Sequence, residues 1–307
     1  MSAVEEILDA IRVALEVDQG ARFRALLLAA TQDSIPPYRA PATGYLGGAF
    51  IGASAVGGDC ARAIWYDFRW LTEKHFDARA LRIFSRGVSE EPRFTALLRL
   101  IPGVTVWAYA RPGVQFSVTK GPVKGKLDAS ARGLPGFGGA LAPIEFKSHG
   151  ASFSKLAKDG VRAAKPEHYT QMQFYLGAYG LPKALYFACE KETDTLFAEV
   201  IEFDREWFET LCDRADAIAM SQEPPPRLAH ASPSYFKCKF CDHRDLCFGN
   251  APEIVGLRGE SCRACQWVRF GYENEAFVAT CGATGEDLSH ATQMIGCVNR
   301  RKLTVLR

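Results

Sequence analysis

The placement of the cysteines is the feature of this chain that most constrains its fold. Of ten cysteines in 307 residues, seven fall between Cys238 and Cys297, while Cys60, Cys189 and Cys212 are scattered. Ten are too few for a small fold built from disulfides, and the chain opens with an acidic, amphipathic segment that does not resemble an export signal. Short Cys-x-x-Cys spacings in such a chain favour metal sites over disulfides. We therefore expect the C-terminal part to fold around bound metal.

The first group of cysteines reads Cys238-Lys-Phe-Cys241-Asp-His243-Arg-Asp-Leu-Cys247 and offers three thiolates and one imidazole within ten residues. Thiolates of this kind bind Zn²⁺ or an iron–sulfur cluster. Two ways of completing the site are open. His243 or another nearby group would complete a zinc site, whereas the distant Cys60 would complete a four-cysteine site. Closing so long a loop would restrict the unfolded chain strongly, so the bound group would stabilise the fold.

The second group of cysteines has the spacing C-x₂-C-x₁₅-C-x₁₅-C. Four ligands in a tail too small to build a strong core are typical of a structural zinc site. With both groups assigned, Cys189 and Cys212 are expected to be core residues. The four zinc ligands would be Cys262, Cys265, Cys281 and Cys297.

The rest of the chain has the composition of an ordinary folded protein. Hydrophobic residues make up 48% and charged residues 23%, which excludes wholesale disorder. No apolar run approaches the roughly 18 residues that a membrane helix needs. Prolines and glycines between Pro36 and Gly48 predict a linker. We expect three parts: an N-terminal helical arm and linker (1–44), a main domain (45–250) and a small zinc-binding C-terminal module (251–307).

Hydrophobic periodicity predicts an α/β protein. Ser2 and Glu5 form a candidate capping box, and apolar residues at helical spacing behind it predict a helix over 3–17. Further helices are predicted over 22–30, 60–74, 78–85, 90–100, 166–180 and 204–221. Short β-rich segments between glycines and prolines predict strands over 104–110, 114–119, 125–131, 142–147, 184–190 and 195–203.

Charge is distributed unevenly along the chain. The formal net charge is only +2, which by itself indicates neither a nucleic-acid binder nor a membrane-surface protein. Residues 111–166, however, contain ten lysines and arginines and three acids, a net charge of +7, so the remainder carries −5. A basic segment of this kind is typical of a protein that binds phosphate backbones. A solvated lysine-rich surface explains it equally well.

Two of the three acids in this basic segment lie in sequences that predict strands. On a strand, Glu145 and Lys147 point to the same face because side chains alternate. Antiparallel pairing of a preceding strand would bring Asp128 beside them. Such a group offers carboxylates to Mg²⁺, which takes oxygen ligands, next to an ammonium group. This set suits metal-assisted hydrolysis of a phosphodiester, and a plain salt bridge is the alternative.

The wider pattern resembles a known family. Asp128, the triplet Glu145-Phe-Lys147 and a helix with Gln-x-x-x-Tyr at Gln171 and Tyr175 together resemble the PD-(D/E)XK nuclease superfamily. The last motif is similar to that of its RecB-like branch, in particular exonucleases encoded by bacteriophages. The resemblance implies a mixed central β-sheet flanked by helices. It also implies that Asp128 and Glu145 bind Mg²⁺ or Mn²⁺ and that Lys147 is the catalytic lysine. Gln171 and Tyr175 would brace substrate and site.

One upstream motif departs from the family pattern. A Gly-His-x-x-Glu sequence is common there, and the matching stretch here reads Gly87-Val88-Ser89-Glu90-Glu91. The resemblance makes Glu91 a third acidic ligand at the catalytic site. Valine cannot coordinate a metal where the family often has histidine, so activity would be weaker, or one metal would bind firmly rather than two. Stabilisation of a first helical turn by the acids is the alternative explanation.

The resemblance extends to the cysteines. The segment Ser54-Ala-Val-Gly-Gly-Asp-Cys60 resembles the N-terminal motif of RecB-like nucleases that hold a [4Fe–4S] cluster. In those proteins one cysteine before the nuclease core and three behind it bind the cluster. The C-terminal tail resembles a zinc-ribbon-like extension found on some phage nucleases. The implied cluster ligands, which would also suit Zn²⁺ in the cluster's place, are Cys60, Cys238, Cys241 and Cys247.

Together these patterns predict a metal-dependent DNA exonuclease that hydrolyses phosphodiester bonds in phage DNA recombination or repair. The expected partners are DNA and a single-strand annealing protein, and no membrane association is expected. The expected location is the cytoplasm, that of the bacterial host if the protein is phage-encoded. Two alternatives are open: a CRISPR-type end-trimming nuclease, and a non-catalytic DNA-binding protein that retains the nuclease fold.

Overall fold

The structure, a computed structural model, describes residues 1–34, 49–72, 76–249, 261–299 and 301. The linker expected between Pro36 and Gly48 lies outside the described residues. Within the described ranges, no helix is both long enough and apolar enough to cross a membrane.

Helices and strands follow one another along the described residues. The helices are α1 (Ala3–Val17), α2 (Ala21–Gln32), α3 (Ala61–Phe68), α4 (Ala78–Arg99), α5 (Phe153–Ala164), α6 (Pro166–Tyr179), α7 (Arg205–Met220), α8 (Phe236–Lys239), α9 (Arg244–Phe248) and α10 (His290–Ile295). The strands are β1 (Ile51–Gly52), β2 (Thr105–Trp107), β3 (Ser117–Lys120), β4 (Val123–Lys126), β5 (Ala129–Arg132), β6 (Ala142–His149), β7 (Lys183–Glu190), β8 (Leu196–Glu202), β9 (Val268–Glu273) and β10 (Ala276–Cys281).

The chain divides into two compact units. The first contains the sheet that carries the predicted acidic site, and it consists of Met1–Ala40, Phe76–Val118 and Gly125–Phe208. The second contains both cysteine groups, and it consists of Pro41–His75, Thr119–Lys124 and Glu209–Arg307.

The first unit is built on a five-stranded sheet in the order β2-β5-β6-β7-β8. β6 and β7 are parallel, and the other neighbouring strands pair antiparallel. α5 and α6 join the parallel pair, because parallel strands need a long crossover connection. The register places Glu145 beside Tyr186 and Lys147 beside Ala188. The predicted α/β class, with a mixed sheet flanked by helices, is confirmed.

Alternating side chains give this sheet two different faces. On one face Phe187 of β7 joins a hydrophobic core with Phe94 of α4. On the other face Tyr186 joins a second core with Leu156 of α5 and Met172 of α6. Helices therefore cover both faces, and successive residues of one strand face different helices.

The predicted elements agree with the structure except in a few places. α1 begins at the predicted capping box, in which both hydrogen bonds between Ser2 and Glu5 are present. The two helices predicted over 78–85 and 90–100 are a single helix, α4, with Pro92 inside it. The strand predicted over 125–131 is two strands, and α5 was not predicted. α3 ends earlier than predicted, because Trp70 adopts a positive φ of 53°.

Two buried arginines organise the second unit. Arg69, directly after α3, donates from Nε to the Arg263 carbonyl oxygen at 2.6 Å and from Nη2 to the Cys265 carbonyl oxygen at 2.9 Å. Arg263 donates to the Phe68 carbonyl oxygen at 3.1 Å, and its guanidinium stacks on the Phe68 ring. Burial lowers the pKa of Arg69 to about 10 and that of Arg263 to about 9. The end of α3 and the cysteine-rich segment thus share one buried hydrogen-bond network.

Candidate active site

Three polar side chains follow one another on one face of β6. Glu145, Lys147 and His149 occupy alternate positions, as predicted for the first two, so all three point to the same side of the sheet. Glu145 is 1% exposed, and the Lys147 ammonium contacts its Oε1. Because β6 lies between β5 and β7, this ion pair is carried by an interior strand of the sheet.

Asp128 reaches this pair from the bend between β4 and β5. Its Oδ2 accepts a hydrogen bond of 2.8 Å from the N–H of Phe146, the residue between Glu145 and Lys147. The prediction that Asp128 lies within a strand is wrong: the chain bends there, and the β5–β6 ladder begins one residue later at Ala129. At the end of the β5–β6 ladder, the Asp128 carboxylate accepts a hydrogen bond from a backbone N–H that would otherwise need another acceptor.

The electrostatics of Glu145 reflect its burial beside a second carboxylate. Its pKa is raised to about 7, first because burial disfavours the charged form and then because Asp128 is negative. Lys147 and a hydrogen bond from Gln171 act in the opposite direction. The pKa of Lys147 is raised, since the attraction of Glu145 and Asp128 outweighs the effect of burial. Two carboxylates and one ammonium leave net negative charge in a buried place, which favours binding of a further cation.

α6 supplies the two residues that brace this group. Gln171 donates from Nε2 to Glu145 Oε2 at 3.1 Å and to Tyr175 Oη at 2.9 Å. Tyr175 donates in turn to the carbonyl oxygen of Lys126, at the end of β4, at 2.6 Å. The two side chains are four residues apart on the helix and therefore lie on one face. Both are buried, so this chain of hydrogen bonds fixes the orientation of the Glu145 carboxylate.

Glu91 is carried by a different helix from the residues that brace Glu145. It belongs to α4, which packs on the opposite face of the sheet from α6, and its Oε2 accepts a hydrogen bond from Gln115 at 3.4 Å. Its charge makes a smaller contribution to the raised pKa of Lys147, after those of Glu145 and Asp128. Among the residues that the structure describes, no three His, Cys, Asp or Glu side chains are gathered closely enough to hold a metal ion.

A group of two histidines and a tyrosine adjoins the site and was not predicted; His149 and Tyr186 are buried, and His168 is half-buried. The Tyr186 hydroxyl lies 2.8 Å from His149 Nε2 and 2.9 Å from His168 Nδ1. Burial first, and then the charges of nearby lysines including Lys147, lower the pKa of His149 to about 4 and that of His168 to about 3. Both imidazoles are therefore neutral at pH 7. The alternation of side chains along β6 could have placed His149 on the same face as Glu145. The position of Tyr186 beside them depends on the β6–β7 register, which the sequence does not reveal.

The first cysteine group lies in the second unit together with Cys60. Cys60 directly precedes α3, Cys238 lies in α8, and Cys247 lies in α9. Burial raises the pKa of Cys241, the N–H of His243 lowers it, and the charges of Cys60 and Cys247 raise it again. Cys60 and Cys247 therefore both lie within electrostatic range of Cys241, although Cys60 is far away in sequence.

His243, the alternative ligand in this group, is only 3% exposed. Its Nε2 lies 3.2 Å from Asp67 Oδ1, and its ring centroid lies 5.4 Å from that of Tyr66. Its Nδ1 is buried and finds no hydrogen-bond partner within the described part of the chain. A buried imidazole nitrogen without a partner fits a metal ligand, so a zinc site that includes His243 has a structural basis beside the four-cysteine site.

The second cysteine group is carried by the β9–β10 hairpin and the segments beside it. The register places Cys281 opposite Val268, three residues after Cys265. A hydrogen bond with the Thr284 side chain lowers the pKa of Cys281, which favours the thiolate that a metal requires. The remaining two members of the group, one buried and one exposed, are Cys262 and Cys297.

Comparisons with known proteins find only distant structural likeness. No protein-family model and no curated protein matches the chain. An alkaline exonuclease from Laribacter hongkongensis (LHK-Exo) is 16% identical, with 55% of this chain and 85% of that chain covered and a TM-score of 0.39. The same exonuclease in complex with dAMP gives the same identity and coverage and a TM-score of 0.40. SSO0001 is also 16% identical, with 65% and 86% covered and a TM-score of 0.38. At this level of likeness, function has to be inferred from the site itself.

Proposed function

We propose that this protein is a metal-dependent deoxyribonuclease, an exonuclease that hydrolyses the phosphodiester bonds of DNA. The observation that carries the proposal is the grouping of Asp128 and Lys147 around the buried carboxylate of Glu145 on β6. Negative charge accumulates on phosphate oxygens during phosphodiester hydrolysis, and the Lys147 ammonium together with a metal ion held by the two carboxylates would stabilise it. The resemblance of the sequence motifs suggests the biological role, which is phage DNA recombination or repair, and a partner, a single-strand annealing protein.

The donors in this group fit Mg²⁺ or Mn²⁺. Asp128 and Glu145 offer carboxylate oxygens, the ligands these hard cations prefer. Burial, and then the negative charge of Asp128, raise the pKa of Glu145. These two side chains would hold the ion, with Glu91 contributing from α4. The bound ion would stabilise negative charge on the phosphate and lower the pKa of a bound water.

The remaining residues have roles that follow from their positions. Lys147, 28% exposed, is placed to donate to a phosphate oxygen while it stays beside Glu145. Gln171 and Tyr175 hold the Glu145 carboxylate in one orientation. The exposed lysines of α5, Lys155 and Lys158, belong to the basic segment and suit contacts to the DNA backbone.

Cleavage assays on end-labelled linear DNA with Mg²⁺ or Mn²⁺ test this proposal. We expect the wild-type chain to release nucleotides from the ends and to leave closed circular DNA intact. Lys147→Ala and Asp128→Asn should each reduce the rate by about 100-fold or more, because each removes a group that stabilises developing charge. Lys183→Ala, which replaces a partly exposed lysine on the neighbouring strand, is the matched control and should keep full activity. An inactive wild-type chain would overturn the proposed activity. A fully active Lys147→Ala chain would show that the active site is not at Lys147.

We also propose two metal centres in the second unit. A [4Fe–4S] cluster, or Zn²⁺ in its place, would be held by Cys60 and the first cysteine group. The electrostatic proximity of Cys60, Cys241 and Cys247 supports this proposal. A structural Zn²⁺ would be held by the second cysteine group, and the lowered pKa of Cys281 supports it.

Metal analysis of anaerobically purified protein distinguishes these centres. We expect iron and acid-labile sulfide in the ratio of a cubane cluster, together with zinc. Cys60→Ser should abolish the iron and leave the zinc, whereas Cys212→Ser, outside both groups, should change neither. Zinc without acid-labile sulfide would show that Zn²⁺, and not a cluster, occupies the first cysteine group. Protein free of both iron and zinc would refute both centres.

A further inference from the structure

A cleft beside α4 is lined by residues that the proposed reaction does not use. It lies within the first unit, between the end of α2, α4, β2 and the turn that follows β2. Its volume is about 170 Å³, slightly more than the roughly 150 Å³ of a cavity that accommodates benzene. The cleft therefore has room for one planar ring system.

The cleft lies close to the candidate active site along α4. Glu91, Thr95 and Arg99 follow one another at intervals of four residues and form one stripe on the helix, and the last two line the cleft. The opposite wall includes Arg111, in the turn that leads to Gln115, whose side chain donates to Glu91. A strand of DNA that reaches Glu91 would therefore also reach the cleft.

The walls of the cleft combine aromatic surface with an unsatisfied hydroxyl group. Trp107, on the edge strand β2, is 40% exposed, and Tyr109 lies beside it in the lining. Thr95 is 0% exposed, and its Oγ1 has no hydrogen-bond partner among the described residues. A flat ligand with polar atoms at its edge would stack on the aromatic surface and form a hydrogen bond with the Thr95 hydroxyl group.

The charges around the cleft favour a ligand that also carries a negative group. Arg99 donates to the Val106 carbonyl oxygen at 2.8 Å and lies in the field of Asp33, the acid of the lining. Arg111 is exposed at the cleft and adds a second positive charge. Guanidinium groups bind phosphate oxygens through bidentate hydrogen bonds.

We propose that this cleft binds one unpaired nucleobase of a DNA strand, stacked on Trp107, with its polar edge at Thr95 and its phosphate at Arg111. The inference rests on the proposed DNA substrate and adds a base-binding subsite to it. Stacking on an aromatic side chain tolerates every base, so the subsite favours unpaired over paired DNA without reading sequence.

Equilibrium binding without the catalytic metal tests this subsite separately from cleavage. The Kd of a short fluorescent oligothymidine and of an abasic oligonucleotide of equal length would be measured by anisotropy in buffer without added Mg²⁺ or Mn²⁺, and without a chelator, which would also remove the proposed structural zinc. We expect wild-type protein to bind the oligothymidine at least about fivefold more tightly than the abasic strand. Trp107→Leu should lose this preference and keep its affinity for the abasic strand. Arg111→Ala should weaken binding of both strands.

Matched variants and the cleavage assay complete the test. Tyr179→Leu and Arg82→Ala replace exposed residues outside the cleft and should keep the preference of the wild type. Equal affinity of the wild type for both strands, or an unchanged preference in Trp107→Leu, would overturn the subsite. A chain that prefers base-bearing DNA without cleaving it refutes only the nuclease, and a nuclease without that preference refutes only the subsite.

Discussion

At the scale of single residues, the hydroxyl group of Tyr175 connects three parts of the candidate site. It accepts from Gln171, donates to the carbonyl of Lys126, and is almost inaccessible to solvent. Tyr175→Phe removes both of these hydrogen bonds at a buried position, and we expect it to lower the free energy of unfolding by about 1–3 kcal/mol. Tyr179→Phe, one helical turn later and 37% exposed, should change it by less than about 0.5 kcal/mol. Urea unfolding followed by circular dichroism measures both. Equal effects would show that the network does not contribute to stability.

The sequence predicts part of this site because part of it is local. The alternation of β6 places Glu145 and Lys147 on one face, and the helical spacing of α6 aligns Gln171 with Tyr175. Neither pattern predicts that Gln171 bonds to Glu145, because that contact depends on how α6 packs against the sheet. The same limit explains Glu91: a motif gives it a role, while the packing of α4 sets its distance from the others.

At the scale of elements, two glycines in helices occupy opposite environments. A Cβ at Gly177 of α6 would collide with the ring of Phe208, whereas a Cβ at Gly87 of α4 would meet no atom within 4 Å. We expect Gly177→Ala to destabilise the protein by about 1–3 kcal/mol through overpacking. Gly87→Ala should stabilise it by up to about 1 kcal/mol, because alanine favours the helix. Thermal or urea unfolding of the two variants gives the comparison, and shifts of the same sign would contradict it.

The elements that the sequence failed to predict share a physical cause. Gly87 and Pro92 disfavour a continuous helix locally, yet Pro92 is buried within α4, where tertiary packing compensates for the hydrogen bond that proline cannot make. α5 is interrupted at Gly160, where φ is +74°. Its lysines indicate only a basic segment, and the apolar residues that hold it on the sheet are few. Packing energy that outweighs local propensity cannot be deduced from the local sequence.

At the scale of the whole molecule, His149 and His168 should make stability depend on pH. His149 and His168 have pKa values of about 4 and about 3, below the ordinary value of 6.5, so the unfolded chain binds more protons between about pH 4 and pH 6.5. Their contribution is fully present above pH 6.5 and is lost as the pH falls. For His149 it amounts to at most about 3 kcal/mol. Glu145 acts in the opposite sense, since its pKa of about 7 lies above its ordinary value and its contribution is lost as the pH rises from about 4.5 to 7.

Urea unfolding at pH 7 and pH 4.5 separates these two contributions. His149→Gln removes one titrating group, so the loss of stability on acidification should be smaller than in the wild type. Glu145→Gln removes the opposing group, so that loss should be larger. A pH dependence that both substitutions leave unchanged would show that neither group is coupled to folding.

The position of β6 in the sheet also has a consequence for the synthesis of the chain. β6 pairs with β5 before it and with β7 after it, and β7 emerges from the ribosome only after the whole of α5 and α6. During that interval one edge of a largely apolar strand stays open, and open edges are where foreign strands add and aggregates begin. Charged side chains on a strand are one of the devices that discourage such addition. We therefore expect the charges of Glu145 and Lys147 to discourage such addition while β7 is not yet in place.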